Sequence, residues 1–193
     1  MHTIPLLEDR QVVARPGDEG FTLIELLVVL LIIGVLLAIA IPTFLSTTGS
    51  ANNTSAQADL KTALTGADTY FMTAGSQSYA YLDSSAGGTS TITSVGTGLT
   101  YVSGAANSSS GPHVISVSVS NGGNALVMTA LAHGSLDCWG ILDIKSTLSS
   151  ALDRETAIGT YYFVVPGSSA SACIAQSASP SVGNISSTAF PHG

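Results

Sequence analysis

Apolar and polar positions fall into three regimes along this chain. Residues 1–20 mix charged and apolar side chains with no period. Residues 26–41 are sixteen positions without one polar side chain, and extending back to Phe21 gives 21 residues broken only by Thr22 and Glu25. A helix of that length reaches about 30 Å, the thickness of a bilayer's hydrocarbon core. Residues 46–57 are small and polar, with poor helix propensity. Leu60, Ala63, Leu64, Ala67 and Phe71 then recur at spacings of three and four, the stripe of an amphipathic helix, and Gly75 is a stop signal. Residues 21–75 therefore read as one long, interrupted helix, on the order of 80 Å at 1.5 Å per residue. Its first part, 21–45, is a membrane segment and its second part packs on a head.

The pattern changes after residue 75. Residues 76–112 are rich in Ser, Gly and Thr and read as a connecting loop with one or two short strands. Residues 114–120 alternate with period two, a half-buried strand. Asn121-Gly122-Gly123-Asn124 is a hairpin turn signal, and residues 125–131 are its partner strand. Residues 138–142 and 160–165 read as two more strands. Consecutive strands joined by short turns favour an antiparallel sheet, with one face on the helix and the other towards solvent. The expected fold class is α+β: a long N-terminal helix packed on an antiparallel sheet head over 113–176, followed by a loose tail over 177–193.

Composition sharpens this picture. Only 9% of the 193 residues are charged, against about 25% in ordinary soluble domains. Five Lys and Arg against twelve Asp and Glu give a net charge of −7, which argues against nucleic acid as a partner. Arg10 and Arg15 precede the apolar run and the next cation is Lys61, so the N-terminus is expected inside the cell and the head outside. Glu25 is the anomaly. A carboxylate in a membrane helix is costly unless it lies near the headgroups or meets a cation from a partner or from a new N-terminus. Gly34 and Pro42 mark a stretch expected to kink or unwind, because Pro42 has no N–H for the carbonyl of Ala38 and Gly34 adds backbone freedom.

The run Gly20-Phe21-Thr22-Leu23-Ile24-Glu25-Leu26-Leu27-Val28-Val29, continuing to Ala40-Ile41-Pro42-Thr43-Phe44, resembles the N-terminal signature of type IV pilins and pseudopilins. The resemblance is close over residues 17–45, looser from Ala58 to Tyr79, and general beyond. It implies a leader, residues 1–20, removed by a prepilin peptidase after Gly20. It implies that Phe21 becomes an N-methylated N-terminus. Glu25 would pair with the Phe21 amine of a neighbour, and the stretch from Gly34 to Pro42 would match helix that loses regularity in filaments. The implied partners are further copies and related pilins, the prepilin peptidase, the pilus assembly platform with its ATPase, and the membrane before assembly. On this orientation Cys138 and Cys173 lie outside the cell, where a disulfide is favoured over two buried thiols. The resemblance supports the pairing, which would close a loop worth about 4 kcal/mol.

Other chemistry finds little footing. His2, His113, His133 and His192 lack metal-ligand spacing, and no nucleophile elbow or phosphate loop occurs. Asp137, Asp143, Asp153 and Glu155 read as a solvated acidic face rather than a calcium loop. Tyr70, Phe71, Tyr79, Tyr81, Tyr161 and Tyr162 read as core and surface aromatics. Asn-x-Ser/Thr triplets at Asn52, Asn53, Asn107 and Asn184 receive no assignment. No cofactor, metal or catalytic residue is expected. The leading expectation is a structural subunit of a surface filament. Two alternatives stand: a pseudopilin of a secretion or DNA-uptake system, and a membrane-anchored or secreted binding protein. Ala38-Ile39-Ala40 fits an ordinary signal peptidase site, and cutting there would release a protein beginning at Ile41.

Overall fold

The computed structural model describes residues 20–73, 77–80, 82, 98–104, 107–147, 157–177 and 184–191. Residues up to 43 and residues 44–193 form two compact units. One helix, α1 (Leu23–Thr73), begins in the first and ends in the second.

In the first unit the side chains of α1 are exposed along its length. Leu and Ile dominate this stretch, and a chain in hydrocarbon must satisfy every backbone donor internally, which selects helix. The helix runs unbroken through Gly34 and Pro42. An isolated turn lacking one hydrogen bond stays helical when the turns on either side are intact, and membrane helices accommodate proline in this way.

The second unit begins with the polar part of α1, residues 44–73, which is also continuous helix. The interruption expected over residues 46–57 is absent. Its threonines return their hydroxyls to the helix: Thr48 donates to the Phe44 carbonyl (3.1 Å) and Thr54 to that of Ser50 (3.0 Å). Thr62, Thr65 and Thr69 repeat the pattern at 2.8–3.0 Å. A hydroxyl bonded one turn back is satisfied within the helix, so these threonines are accommodated there without adding stability. Tertiary packing supplies the rest, because Ala56, Leu60, Ala63, Gly66 and Ala67 are buried against the sheet.

Six strands follow: β1 (Thr100–Ser103), β2 (Val114–Ser120), β3 (Ala125–Ala132), β4 (Asp137–Ile144), β5 (Gly159–Val165) and β6 (Ile185–Ser186), arranged in chain order. All neighbours pair antiparallel except β1 and β2, which are parallel. The β2–β3 hairpin turns at Asn121–Gly123, where Gly122 and Gly123 have φ of 64° and 93°, conformations open to glycine. The parallel pair departs from the expected all-antiparallel sheet. It needs a crossover between the end of β1 at Ser103 and the start of β2 at Val114. Buried Ser109 anchors it by accepting from the Leu131 N–H (2.9 Å) and donating to the Val114 carbonyl (2.6 Å).

Both faces of the sheet centre are buried, not one. β3 is buried at every position and β4 at all but the first. The α1 face carries Ile115, Val117, Leu126, Met128, Ala130, Trp139, Ile141 and Val164. The other face gathers Val127, Leu142, Ile144 and Phe163 under Ala175, beside Leu131 and the disulfide Cys138–Cys173. Gly140 makes room there: a Cβ would enter the Phe163 ring, its cross-strand partner. The Cys173 carbonyl accepts from the Ser109 N–H (2.9 Å), so the disulfide ties the C-terminal segment, the crossover and β4 together. Residues 184–191 are not a loose tail. Ile185 pairs with Phe163, and Phe190 stacks edge-on against Trp139 and Tyr162 with Lys61 over its ring.

Two polar clusters fasten α1 to the sheet. At one end Asn53 accepts from the Trp139 indole N–H (3.0 Å) and the Ser135 hydroxyl (2.6 Å), and donates to Asp137 (3.3 Å). At the other, the Lys145 ammonium lies 2.8 Å from Asp68 on α1 and 3.0 Å from Asp143 on β4. The Tyr79 hydroxyl bridges the same two carboxylates at 2.9 and 2.6 Å, and Thr160 donates to Asp143 (2.6 Å). Asp143 is buried, which corrects the reading of a solvated acidic face at this residue; Asp153 and Glu155 lie outside the described residues. Burial raises the Tyr79 phenol strongly, and Asp143 adds to the effect. Burial pulls the Lys145 ammonium down, but the Asp68 and Asp143 carboxylates outweigh it and hold the ammonium above its ordinary value.

Replacing Lys145 by Met leaves Asp143 short of its cation and is expected to cost about 2–3 kcal/mol. Thermal unfolding of the full chain should show a fall of about 5–10 °C. Because the folded value of Lys145 is raised, its contribution is complete below the ordinary lysine value of about 10.4 and is lost as pH rises through the folded value. Denaturant midpoints of wild type and Lys145→Met should therefore converge above that pH and stay apart near neutrality.

Candidate functional site

The chemistry of this chain concentrates at the start of α1. Gly20, Phe21 and Thr22 precede the helix, and Leu23 is its first residue. Thr22 and Glu25 stand three apart, and each caps the other. The Thr22 N–H donates to Glu25 Oε2 at 3.0 Å, and the Thr22 hydroxyl donates to the same oxygen at 2.8 Å. The Glu25 N–H donates back to Thr22 Oγ1 at 3.3 Å. This reciprocal arrangement is a capping box, and it satisfies two of the four N–H groups that every helix start leaves open. An acidic group in the first turn is also favoured by the helix dipole.

Glu25 is thus no stray charge within an apolar run. The helix start holds it in one place, with its second oxygen unused by the cap. Thr22 is the residue missed in reading the sequence. The signal was present, since Thr22-Leu23-Ile24-Glu25 is a Ser/Thr-x-x-Glu pattern immediately before an apolar helix.

The flanking residues present open apolar surface. Phe21 and Leu23 are both 83% exposed, and large apolar residues continue exposed from Ile24 to Leu45. Among the described residues, α1 is the one helix long and apolar enough to cross a membrane, with a mean hydropathy of 3.2 over its most apolar 18 residues. Gly20 and Gly34 are unconstrained: a Cβ at either would meet nothing within 4 Å. Neither glycine is required by the packing of the single chain. Gly34 and Pro42 both lie inside continuous helix, and Cys138 and Cys173 stand apart from this site in the head, joined to one another. His113 pairs with Asp59 on α1 (3.0 Å), so this histidine serves the fold of the head.

An exposed apolar helix opening on a capped Glu, followed in sequence by a disulfide-closed α+β head, supports membrane anchoring through that helix. Residues 15–41 match the family described as the prokaryotic N-terminal methylation motif. The type IV major pilin protein PilA of Myxococcus xanthus (strain DK1622) is 43% identical over 57 residues, which are 30% of this chain and 26% of that relative. The chain therefore spans about a quarter of the length of the curated relative it matches. No solved structure matches the chain. Motif, relative and architecture together support membership of the type IV pilin family.

Replacing Thr22 by Val removes the hydroxyl and keeps the shape. The Glu25 N–H then loses its acceptor, and its amide exchange in lipid nanodiscs should quicken several-fold. Thr22→Ser should restore protection. Equal exchange in all three proteins would show that the cap does not hold the helix start.

Proposed function

We propose that this protein is a structural subunit of a type IV pilus-like surface filament, made as a precursor and assembled through its apolar helix. The observation that carries the reading is the combination of a pilin-type N-terminal motif with a helix face exposed from Phe21 to Leu45. Such a surface is stable in a bilayer or packed among copies of itself, and in no other common setting.

In this reading, residues 1–20 are a leader cut by a prepilin peptidase between Gly20 and Phe21, and Phe21 is then N-methylated. A glycine that the fold itself does not need is consistent with a residue selected by a processing enzyme. Cleavage creates a cation at Phe21, one residue before the cap. Glu25 already accepts two hydrogen bonds from its own Thr22 on one oxygen, which leaves the other for the Phe21 amine of a neighbour. In an apolar filament core that pairing is unscreened and directional. Gly34 and Pro42 keep their helix in the single chain and are the positions where it would loosen under packing. The protein spans the cytoplasmic membrane once before assembly, with the head outside, and forms an extracellular filament afterwards. The partners are further copies, the peptidase, and an assembly platform with its ATPase.

The Glu25→Ala variant is expected to be synthesised, inserted and cleaved like wild type while surface filaments fall at least about tenfold, the loss of one unscreened ion pair. Sheared surface protein and whole-cell protein, quantified side by side, separate the two effects. Normal filaments from this variant would refute the assigned role.

A further inference from the structure

We draw no further inference here: the strongest candidate, the small pocket between α1 and the start of β2 where His113 pairs with Asp59 beside His133, carries nothing, because among the described residues no three metal-binding side chains meet at one point and the pair itself belongs to the packing of the head.

Discussion

Sixteen consecutive residues without a polar side chain set the terms for everything else in this molecule. At about 25 cal/mol per Å² of apolar surface, the exposed face of residues 21–45 is strongly driven out of water. The fold of the chain does not cover it, because those residues remain exposed in the structure. Only lipid or other copies of the same surface remain. On the proposed reading, the same physical demand accounts for an anchor before assembly and an adhesive core after it. It also explains why the one carboxylate in the run has to be managed locally by Thr22, with a bonding site left over.

The head solves a different problem. Its share of α1 is built largely from Ala, Ser, Thr and Gly, which bury little apolar area each. Polar fastening compensates. Ala56, Leu60, Ala63 and Ala67 are the buried side of the helix and share one core with the sheet. Asn53 locks one end to Trp139, and the Lys145 cluster locks the other through Asp68, Asp143 and Tyr79. The disulfide and Ser109 hold the opposite face, where the crossover and the C-terminal segment meet. A chain with only 9% charged residues thus spends several of them, and many hydroxyls, on internal bonds.

How far the sequence was legible follows from the range of each interaction. The apolar run, the stripe from Leu60 to Phe71, the period-two strand at 114–120 and the turn at Asn121–Gly123 depend on neighbours in sequence, and the pattern showed them. The continuity of the helix over residues 46–57 was hidden, because propensity scales count a threonine as a poor helix former whether or not its hydroxyl is returned to the previous turn. The parallel pairing of β1, the buried second face and the packing of Phe190 on Trp139 are long-range, and Ser/Gly-rich segments carry no periodic signal for them. Asp143 looked like a surface acid because two of its partners, Tyr79 and Thr160, are distant in sequence, and only Lys145 is near. At the candidate site Glu25 stood out by its cost and by its place in the N-terminal signature, while Thr22 was overlooked although its spacing to Glu25 is a local pattern.

The central claim is that the chain is processed at the boundary between Gly20 and Phe21 and then polymerises through the helix that begins there. Intact mass and N-terminal analysis of protein sheared from the cell surface test it directly. The account predicts a chain beginning at Phe21 with one additional methyl group on its amine. A chain beginning at Met1 or at Ile41 would contradict it, because neither presents a free amine beside the capped Glu25.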